Sequence, residues 1–284
     1  MKLAVVTKVF NEHVNLPIWI RHYRRQCPDA ALFVIDHGST DASTRDLKGV
    51  NLVPLPRTPF DDATQVAFMA EFQRALLRFY DMFVYTDCDE MLLADPRQHG
   101  TLGDYLAASA SEIIAPTGLH MLHVPQIEPA IDPAAPILGQ RRFVWFGAGM
   151  CKPTITRVPV RWQPGFHCCD GRPDYRADLY QFHLATMDID ISLARLRLTR
   201  AMAWSAATLA AGHGGHQRAS DAEHLQRSFH TPGGYVLSHG AADFRFEADL
   251  RRLTDSITVV DGFYVPRYFR GTIARVPEAF CGLI

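Results

Sequence analysis

The first third of the chain alternates between short apolar runs and amphipathic stretches. The apolar runs are rich in β-branched residues and predict buried strands; they are "KLAVVTKVF", "AALFVIDHGSTD", "NLVPLP" and "MFVYTDCDEML". The segments between them predict helices, namely "NEHVNLPIWIRHYRRQ", a short "ASTRDL" and "ATQVAFMAEFQRALLRFY". This β-α-β-α-β-α-β order over residues 1–93 predicts an α/β fold, with a mostly parallel central sheet flanked by helices.

Two details of these helices are also predicted. Asn11 suits the N-cap of the first helix, because its side chain can accept a hydrogen bond from a free backbone N–H. The buried face of the third helix is expected to consist of Val66, Met69, Phe72, Leu76 and Phe79.

The signals beyond residue 100 are mixed. Three further strands are indicated by "IIAPTGLHMLHV", "MCKPTITRVPVRW" and "LYQFHLATMD", and "PQIEPAIDPAAPILG" is a long proline-rich loop. "ISLARLRLTRAMAWSAATLAAG" predicts a long helix whose arginines form a solvated face, and the polar segment 213–235 is expected to be a mobile surface that can act as a lid. We therefore expect one domain over residues 1–190, with a helical and loop extension over 191–284 packed on it.

Composition narrows the class of protein. The chain has 284 residues and a net charge of −1, from 29 Lys and Arg against 30 Asp and Glu, so no overall field favours nucleic acid. The apolar start is too short for a signal peptide, and no stretch approaches the roughly 20 apolar residues of a membrane span. We expect a cytoplasmic protein whose six cysteines are free thiols.

The most informative stretch is "FVYTDCDEML", where an apolar run ends in Asp87, Asp89 and Glu90. In a strand, Asp87 and Asp89 would share a face, whereas Cys88 and Glu90 would point to the other side, where Glu90 braces the loop or a basic neighbour. Two carboxylates about 6–7 Å apart repel unless a cation lies between them. Oxygen ligands suit Mg²⁺ or Mn²⁺, which grip phosphates, so the pattern indicates a metal that holds a diphosphate. The alternative is a strand-end turn with solvated acids.

Polar residues also follow the first two strands. Asp36 ends the second strand and can bind a ribose or a base, or it can form an Asx turn with the turn formers after it. Ligands of parallel sheets bind at the carboxyl ends of the strands, where Asn11 and Glu12 also fall. The chain lacks both G-x-G-x-x-G and a P-loop, which argues against a Rossmann dehydrogenase and a P-loop kinase.

Together, "VVTKVFNEHVNLPIWIRHY", "FVIDHGSTDAS" and "FVYTDCDEML" resemble the family 2-like glycosyltransferases with a GT-A fold and a D-x-D motif. "CKPTITR", "PGFH" and "YQFHLATMD" resemble later parts of the family pattern more loosely. The resemblance implies a catalytic domain over 1–190, whose nucleotide-sugar half spans about 1–95 and whose acceptor half spans about 96–190.

The resemblance also implies roles for individual residues. The nucleotide-binding residues would be Thr7, Lys8, Asn11, Glu12, Asp36 (facing the base), Asp87, Cys88 and Lys152 (a point charge on the phosphates). The ligands of Mn²⁺ or Mg²⁺ would be Asp87, Asp89, His167 and His183. With 13 histidines in the chain, each of the two histidines can equally be a core or surface residue.

Inverting transfer needs a carboxylate base for the acceptor hydroxyl. The chain lacks the expected pair of acids after the D-x-D strand, so Glu128, Asp132, Asp170 and Asp174 are candidates, and Asp170 is preferred because it follows His167 closely.

The resulting hypothesis is a metal-dependent glycosyltransferase, of hexosyltransferase type, that acts in polysaccharide biosynthesis. It would move a sugar from a nucleotide-diphosphate sugar, UDP preferred, to a hydroxyl of a glycan or lipid-linked glycan, with inversion. No nucleic acid or transmembrane segment is expected, and peripheral contact with the inner face of the membrane stays open. The alternatives are a nucleotidyltransferase that makes nucleotide sugars and a non-catalytic nucleotide-binding module.

Overall fold

The computed structural model describes residues 1–284 and contains twelve strands. They are β1 (Leu3–Val9), β2 (Ala31–Asp36), β3 (Asn51–Pro54), β4 (Met82–Tyr85), β5 (Glu90–Ala94), β6 (Ile113–Leu122), β7 (Phe143–Gly147), β8 (Ile155–Thr156), β9 (Asp174–His183), β10 (Thr258–Val260), β11 (Phe263–Val265) and β12 (Arg270–Arg275).

Nine helices accompany the strands, together with several short 3₁₀ turns and one π-helical turn. They are α1 (Asn15–Gln26), α2 (Asp62–Leu76), α3 (Leu102–Ala108), α4 (Ile137–Gln140, a single turn), α5 (Ile189–Ala201), α6 (Ala206–Ala210), α7 (Asp221–Leu225), α8 (Thr231–His239) and α9 (Glu247–Asp255). No helix is long and apolar enough to cross a bilayer.

Ten of the strands form one central sheet. Eight of them lie in the order β12-β7-β6-β8-β4-β1-β2-β3; in addition, β9 pairs with β6, and β5 pairs with β9. The strands β4, β1, β2 and β3 are parallel to one another, as the alternation of strands and helices in this part of the sequence predicted. The other half is mixed: β6 pairs in parallel with β9 and antiparallel with β7 and β8. The predicted α/β class, with a central sheet flanked by helices, is confirmed.

The alternation of side chains along β1 sets the two layers of helices. Leu3, Val5 and Val9 point into a large apolar core that includes Trp19 of α1. Ala4 and Val6 point to the opposite face and join a smaller core that contains Val66 and Met69 of α2. Because successive strand residues face opposite sides, one strand is buried on both faces only when helices cover both.

The C-terminal extension is largely helical and packs on the same core. Phe244, Phe246, Leu253 and Phe280 all belong to the large core. The extension also supplies β12, an edge strand of the central sheet that pairs antiparallel with β7. A domain boundary near residue 190 stays a prediction, and the chain on either side of it shares one hydrophobic core.

Three predictions about the first third were wrong. Asn11 does not cap α1, which begins at Asn15; instead Asn11 has φ +54 and lies in the loop before the helix. Residues 42–47 form turns rather than a helix. Phe79 is 74% exposed because α2 ends at Leu76, before the apolar pattern ends.

The strand predicted over residues 82–92 is two strands. β4 ends at Tyr85 and β5 begins at Glu90, and the acidic residues between them lie in a turn. After the turn the chain leaves β1 and pairs with β9 instead. The alternation argument for the acids therefore assumed a continuous strand that does not exist.

Later segments also differ from the predictions. Only Ile155–Thr156 of residues 150–162 pairs as a strand, and the long helix predicted over 191–212 is interrupted between α5 and α6. The polar segment 213–235, expected to be a mobile surface, contains the helix Asp221–Leu225 and the start of the helix Thr231–His239, which extends beyond it. The first of these helices packs against α5, and the predicted role of the segment as a mobile lid stays a prediction.

Gly118 in β6 gives a direct test of the packing. A Cβ at this position would overlap the carbonyl carbon of Met150 and lie 2.6 Å from the backbone nitrogen of Cys151. We expect Gly118→Ala to lower the free energy of unfolding by about 1–3 kcal/mol or more, because backbone atoms cannot move aside as a side chain can.

Urea denaturation measures this change. Gly234→Ala in α8 is the matched control, since nothing lies within 4 Å of its added Cβ. Equal stability of the two variants would contradict the close packing of β6 on residues 150–151.

Candidate active site

The carboxyl ends of β4, β1 and β2 meet at one edge of the sheet, because the three strands are adjacent and parallel. The loop after β1 contacts the loop after β2: the side-chain oxygen of Asn11 accepts a hydrogen bond of 2.7 Å from the N–H of Thr40. Behind the turn that follows β4, the indole N–H of Trp19 donates to the hydroxyl of Thr86 at 2.8 Å. The three predicted motifs thus lie together.

We call residues 86–90 the acidic turn. Its centre is a buried cation: Lys152 Nζ lies 2.6 Å from Asp87 Oδ2 and 2.6 Å from Glu90 Oε1. Asp87 also accepts a hydrogen bond of 2.8 Å from the Tyr85 hydroxyl, and its N–H donates to Glu90 Oε2 at 3.0 Å. Glu90 therefore braces the turn and a basic neighbour, as predicted, and Lys152 is bound within the protein.

Charge pairing dominates the ionisation of this group. Burial favours the neutral acid, yet Lys152 and the Tyr85 hydroxyl hold the pKa of Asp87 well below its usual range. Burial alone would lower the pKa of Lys152, but the carboxylates of Asp87 and Glu90 raise it. Burial raises the pKa of Glu90, whose side chain is only 1% exposed. Asp87 stays ionised and keeps 41% of its side chain exposed, so it can still meet a ligand.

Asp89 contacts one member of a pair of histidines. Its Oδ2 lies 3.2 Å from His183 Nε2, and His183 Nδ1 lies 2.9 Å from His120 Nδ1. Burial opposes a charge on His183, but Asp89 outweighs it and raises the pKa, while burial and the nearby His183 lower the pKa of His120. One of the two facing Nδ1 atoms carries the proton of this contact, and the His120 ring stacks on Trp145 with 3.9 Å between centroids.

His167 lies beside this group with one nitrogen available. Its Nδ1 is 2.6 Å from the carbonyl of Gly149, which only accepts, so Nδ1 carries the proton and Nε2 keeps a lone pair. Burial, followed by the charge of Lys152, lowers the pKa of His167 to about 4 and keeps the ring neutral. Gly165, with φ +81, is required here because a Cβ would lie 2.6 Å from His167 Nε2.

Asp36 shapes the loop after β2. Its Oδ1 accepts from the N–H of Ser39 at 2.8 Å, and its Oδ2 accepts from the Thr44 hydroxyl at 2.7 Å. This is the turn-forming alternative that the sequence left open. The remaining lone pairs of a carboxylate do not exclude a second partner, so contact with a base stays a prediction.

Three further predicted nucleotide-binding residues lie in β1 and in the acidic turn. Thr7 is fully buried and its hydroxyl has no partner, and Cys88 in the acidic turn is also buried. Lys8 donates to Gln65, and burial lowers its pKa to about 8, with Asp87 opposing the shift. Lys8 thus lies within the electrostatic reach of the acidic turn.

Glu12 links the sheet edge to the C-terminal extension. Its Oε1 lies 2.6 Å from a guanidinium nitrogen of Arg195 in α5, which also donates to the carbonyl of Phe10 at 3.2 Å. Burial raises the pKa of Glu12 to about 7, and Arg195 offsets part of this shift. Arg195 was predicted to lie on a solvated face; the prediction was wrong because α5 packs against the site.

The residues present fit a divalent cation only in part. Asp89 supplies a carboxylate oxygen and His167 supplies the lone pair of Nε2, whereas His183 Nε2 lies against Asp89 and can bind a metal only without its proton. No group of three or more His, Cys, Asp or Glu side chains is already gathered as a metal cage. An incomplete ligand set of this kind suits Mg²⁺ or Mn²⁺, which proteins often hold by one or two carboxylates while substrate phosphates supply further ligands.

The candidates for a catalytic base lie apart from this cluster. Asp170 forms an ion pair of 2.8 Å with the Arg161 side chain and also accepts a hydrogen bond from the backbone N–H of Arg161. Glu128 is buried, and its two oxygens accept from backbone N–H groups of Val124 and Arg142. No hydrogen bond or ion pair joins either carboxylate to the acidic turn.

Sequence reasoning missed His120 and Tyr85 as members of the site and favoured a packing role for Trp145 over stacking on a sugar. Tyr85 was visible as part of the strand before the acids, but its hydroxyl contact depends on the turn. His120 and Trp145 come from β6 and β7, whose pairing across the sheet brings them together. That pairing of distant segments leaves no local signal.

The pairing of Lys152 gives a prediction of stability. We expect Lys152→Met to lower the free energy of unfolding by about 3–5 kcal/mol, because it leaves Glu90 and Asp87 without their buried cation. Adding Glu90→Gln should restore part of the loss, since a neutral amide needs no counter-ion.

Urea denaturation at neutral pH measures both variants. Lys48→Met serves as the control, because Lys48 is exposed and has no ion-pair partner. A change for Lys152→Met no larger than that of the control would show that the buried pair is not needed.

Glu12 gives a prediction of pH dependence. Its pKa is about 7 in the folded protein against a usual 4.5, so the folded state keeps this proton to higher pH than the unfolded chain does. The stabilising contribution of Glu12 is therefore present below about pH 4.5 and is lost as the pH rises through about 7. Between about pH 5 and pH 8 we expect wild type to lose on the order of 2 kcal/mol more stability than Glu12→Gln.

Urea denaturation at the two pH values measures the difference. Glu71→Gln, at a side chain that is 74% exposed, is the control and should follow wild type. Parallel pH profiles for wild type and Glu12→Gln would refute the shifted pKa.

No protein-family profile and no curated protein sequence matches the chain. Comparison with solved structures finds a mannosyltransferase from Pyrobaculum calidifontis in complex with GDP-Man and Mn²⁺, at 16% identity and TM-score 0.28, over 43% of this chain and 35% of that one. It also finds glucosyl-3-phosphoglycerate synthase from Mycobacterium tuberculosis in complex with Mn²⁺, UDP-glucose and phosphoglyceric acid, at 18% identity and TM-score 0.29, over 41% and 43% of the two chains.

A third similar structure is TarS of S. aureus, at 13% identity and TM-score 0.39, over 90% of this chain and 48% of that one. The chain thus spans less than half the length of each of these three proteins. At such low scores and identities, the likeness establishes neither a shared overall fold nor an activity.

Proposed function

We propose that this protein is a metal-dependent glycosyltransferase with a GT-A-like arrangement, which transfers a sugar from a nucleotide-diphosphate sugar to a hydroxyl acceptor. The observation that carries the proposal is the meeting of three strand ends at one sheet edge, where Asp87 lies against Lys152 and Asp89 lies against His183. A diphosphate that carries a divalent cation has charges of both signs, and these complement the carboxylates and the basic side chains at the strand ends. The ordered motifs that resemble family 2-like glycosyltransferases occupy the same three strand ends.

In this proposal, Asp87, Asp89 and His167 would hold Mn²⁺ or Mg²⁺, with His183 as a further ligand once its Nε2 carries no proton. The bound ion would supply positive charge against the leaving nucleoside diphosphate. The protein's own cations have different roles here: Lys152 keeps Asp87 ionised, and Lys8 presents an ammonium group near the acidic turn. Because Lys8 is largely desolvated, its charge would act more strongly on the diphosphate than a fully hydrated ammonium group would.

The nucleoside would lie over the loops after β1 and β2. Asn11 ties these loops together through the N–H of Thr40, and Asp36 fixes the turn at Ser39 and Thr44. These hydrogen bonds fix the backbone of both loops before a ligand binds. The loops therefore lose less conformational entropy on binding. A UDP-sugar donor, a hexosyl group and a glycan or lipid-linked acceptor are parts of the proposal carried over from the sequence resemblance.

Asp170 is the proposed base for an inverting transfer, by its position in the sequence after His167. Its ion pair with Arg161 must open for the carboxylate to accept a proton from an acceptor. Product stereochemistry and the turnover of Asp170→Asn, measured with the donor identified below, test both the base and the inverting course. Unchanged turnover would remove Asp170 from the mechanism.

A nucleotide-binding module without turnover is the second candidate. It is favoured by one observation: Lys152 already satisfies Asp87 and Glu90, and no three-ligand metal cage is gathered. Tight nucleotide binding that does not depend on a divalent cation, with no transfer to any acceptor, would support it over the enzyme. Release of pyrophosphate from a nucleoside triphosphate and a sugar phosphate would instead indicate a nucleotidyltransferase.

The test is a thermal-shift panel of UDP, GDP, CDP and dTDP sugars with and without Mn²⁺. A donor at about 100 times its Kd stabilises the folded state by about 2.7 kcal/mol, so one sugar nucleotide should raise Tm only when the metal is present. We expect Asp87→Asn and Asp89→Asn to abolish this metal-dependent shift and turnover.

Asp29→Asn is the matched control, because Asp29 is exposed and lies in the turn before β2, away from the acidic turn. Each variant is first compared with wild type for its Tm without ligand, which separates lost binding from lost folding. Turnover that persists in EDTA with both Asp87 and Asp89 replaced would refute the proposal.

A further inference from the structure

A surface cleft with three arginines lies at the C-terminal end of α9. We call it the arginine cleft; its walls are Ala248, Arg251, Arg252, Asp255, Ser256, Arg267 and Phe269. Its volume of about 580 Å³ falls in the range of small-molecule sites. Nothing in the proposed transferase site uses these residues.

The charges of the arginine cleft are unbalanced. No carboxylate oxygen lies within 4.0 Å of the guanidinium nitrogens of Arg251, Arg252 or Arg267. Elsewhere on the surface, by contrast, Arg197 and Arg200 both pair with Asp221. Three cations and the one carboxylate of Asp255 give the cleft a surplus of two positive charges.

The cleft is also held in shape. The guanidinium carbon of Arg252 lies over the Phe269 ring, 3.9 Å from its centroid, and this cation–π contact restrains the side chain. The N–H of Arg267 donates to the Ser256 hydroxyl at 3.0 Å, which closes the base of the β10–β11 hairpin against the end of α9. Cationic groups arranged beforehand lose less conformational entropy when an anion binds.

We propose that the arginine cleft binds the phosphate group of a phosphate ester. Guanidinium groups are planar forks of N–H donors that match phosphate oxygens in pairs, and they remain charged at all physiological pH values. The size of the cleft leaves room for the organic part of an ester beside the phosphate.

The chain that forms one wall of the cleft also reaches the candidate active site. Arg267 and Phe269 face the cleft, whereas Tyr268 lies 5.5 Å from the His167 ring and Arg270 lies over Trp145 at 4.6 Å. Alternate residues of an extended segment point to opposite sides, so residues 267–270 separate the two sites by the thickness of one backbone. Phosphate binding itself does not depend on the proposed transferase activity.

Two ligand sources share this chemistry, a soluble phosphate ester and a phospholipid headgroup. Glycerol 3-phosphate titrated by calorimetry tests the first, and co-sedimentation with phosphatidylcholine vesicles containing phosphatidic acid tests the second. We expect wild type to bind at least one of them, and the source that binds identifies the class of ligand.

The decisive variant is the triple Arg251→Gln, Arg252→Gln, Arg267→Gln. Its matched control is Arg78→Gln, Arg245→Gln, Arg275→Gln, which removes the same charge from exposed arginines outside the cleft. We expect affinity to fall at least about tenfold in the first triple, a change of about 1.4 kcal/mol, and to stay near that of wild type in the control. Failure of wild type to bind either probe, or an equal loss in both triples, would overturn the proposal.

Arg252→Lys tests the guanidinium fork, since it keeps the charge but loses the planar group stacked on Phe269. It should bind several-fold more weakly than wild type, and undiminished binding would contradict the preorganised fork. The metal-dependent shift with a sugar nucleotide, measured on the same proteins, is expected to survive in the first triple. A failure of phosphate binding is therefore distinguishable from a failure of the proposed transferase.

Discussion

The site depends on one buried cation. Lys152 has little access to solvent and lies between Asp87 and Glu90. Removing the lysine would leave the buried carboxylate of Glu90 without a counter-ion and without water to solvate it. The same contact ties the segment before β8 to the acidic turn between β4 and β5. Because the turn redirects the chain from β1 towards β9, the ion pair holds the two halves of the sheet together at the point where the site forms.

Lys152 also explains how three acids can share one turn before any ligand arrives. Each carboxylate of the turn has its own cationic or hydrogen-bonding partner: Lys152 for Asp87 and Glu90, and His183 for Asp89. These partners reduce the electrostatic repulsion between the three carboxylates. A carboxylate oxygen has two lone pairs, so an exposed and ionised Asp87 can accept a further cation without giving up Lys152.

The sequence predicted the parts of the fold that are encoded locally. The alternation of β-branched runs with amphipathic segments identified β1, α1, β2, β3, α2 and β4, and the rule for parallel sheets brought Asp36 and Asp87 to the same edge. It failed where distant contacts decide. Residues 82–92 form two strands because β5 pairs with β9, which comes much later in the chain. Arg195 points inward because it forms an ion pair with Glu12.

The same distinction applies to the candidate site. Asp87, Asp89 and Lys152 stand in recognisable motifs, so the sequence could name them, yet it could not foresee that Lys152 pairs with Asp87. His120 could not be found because its contact with His183 requires β6 to lie beside β9 in parallel. That pairing places a neutral imidazole against the nitrogen of His183 that does not face Asp89, and so directs the other nitrogen to the acidic turn. The orientation of the His183 ring is therefore set by sheet topology, whereas its place in the chain is set by the motif.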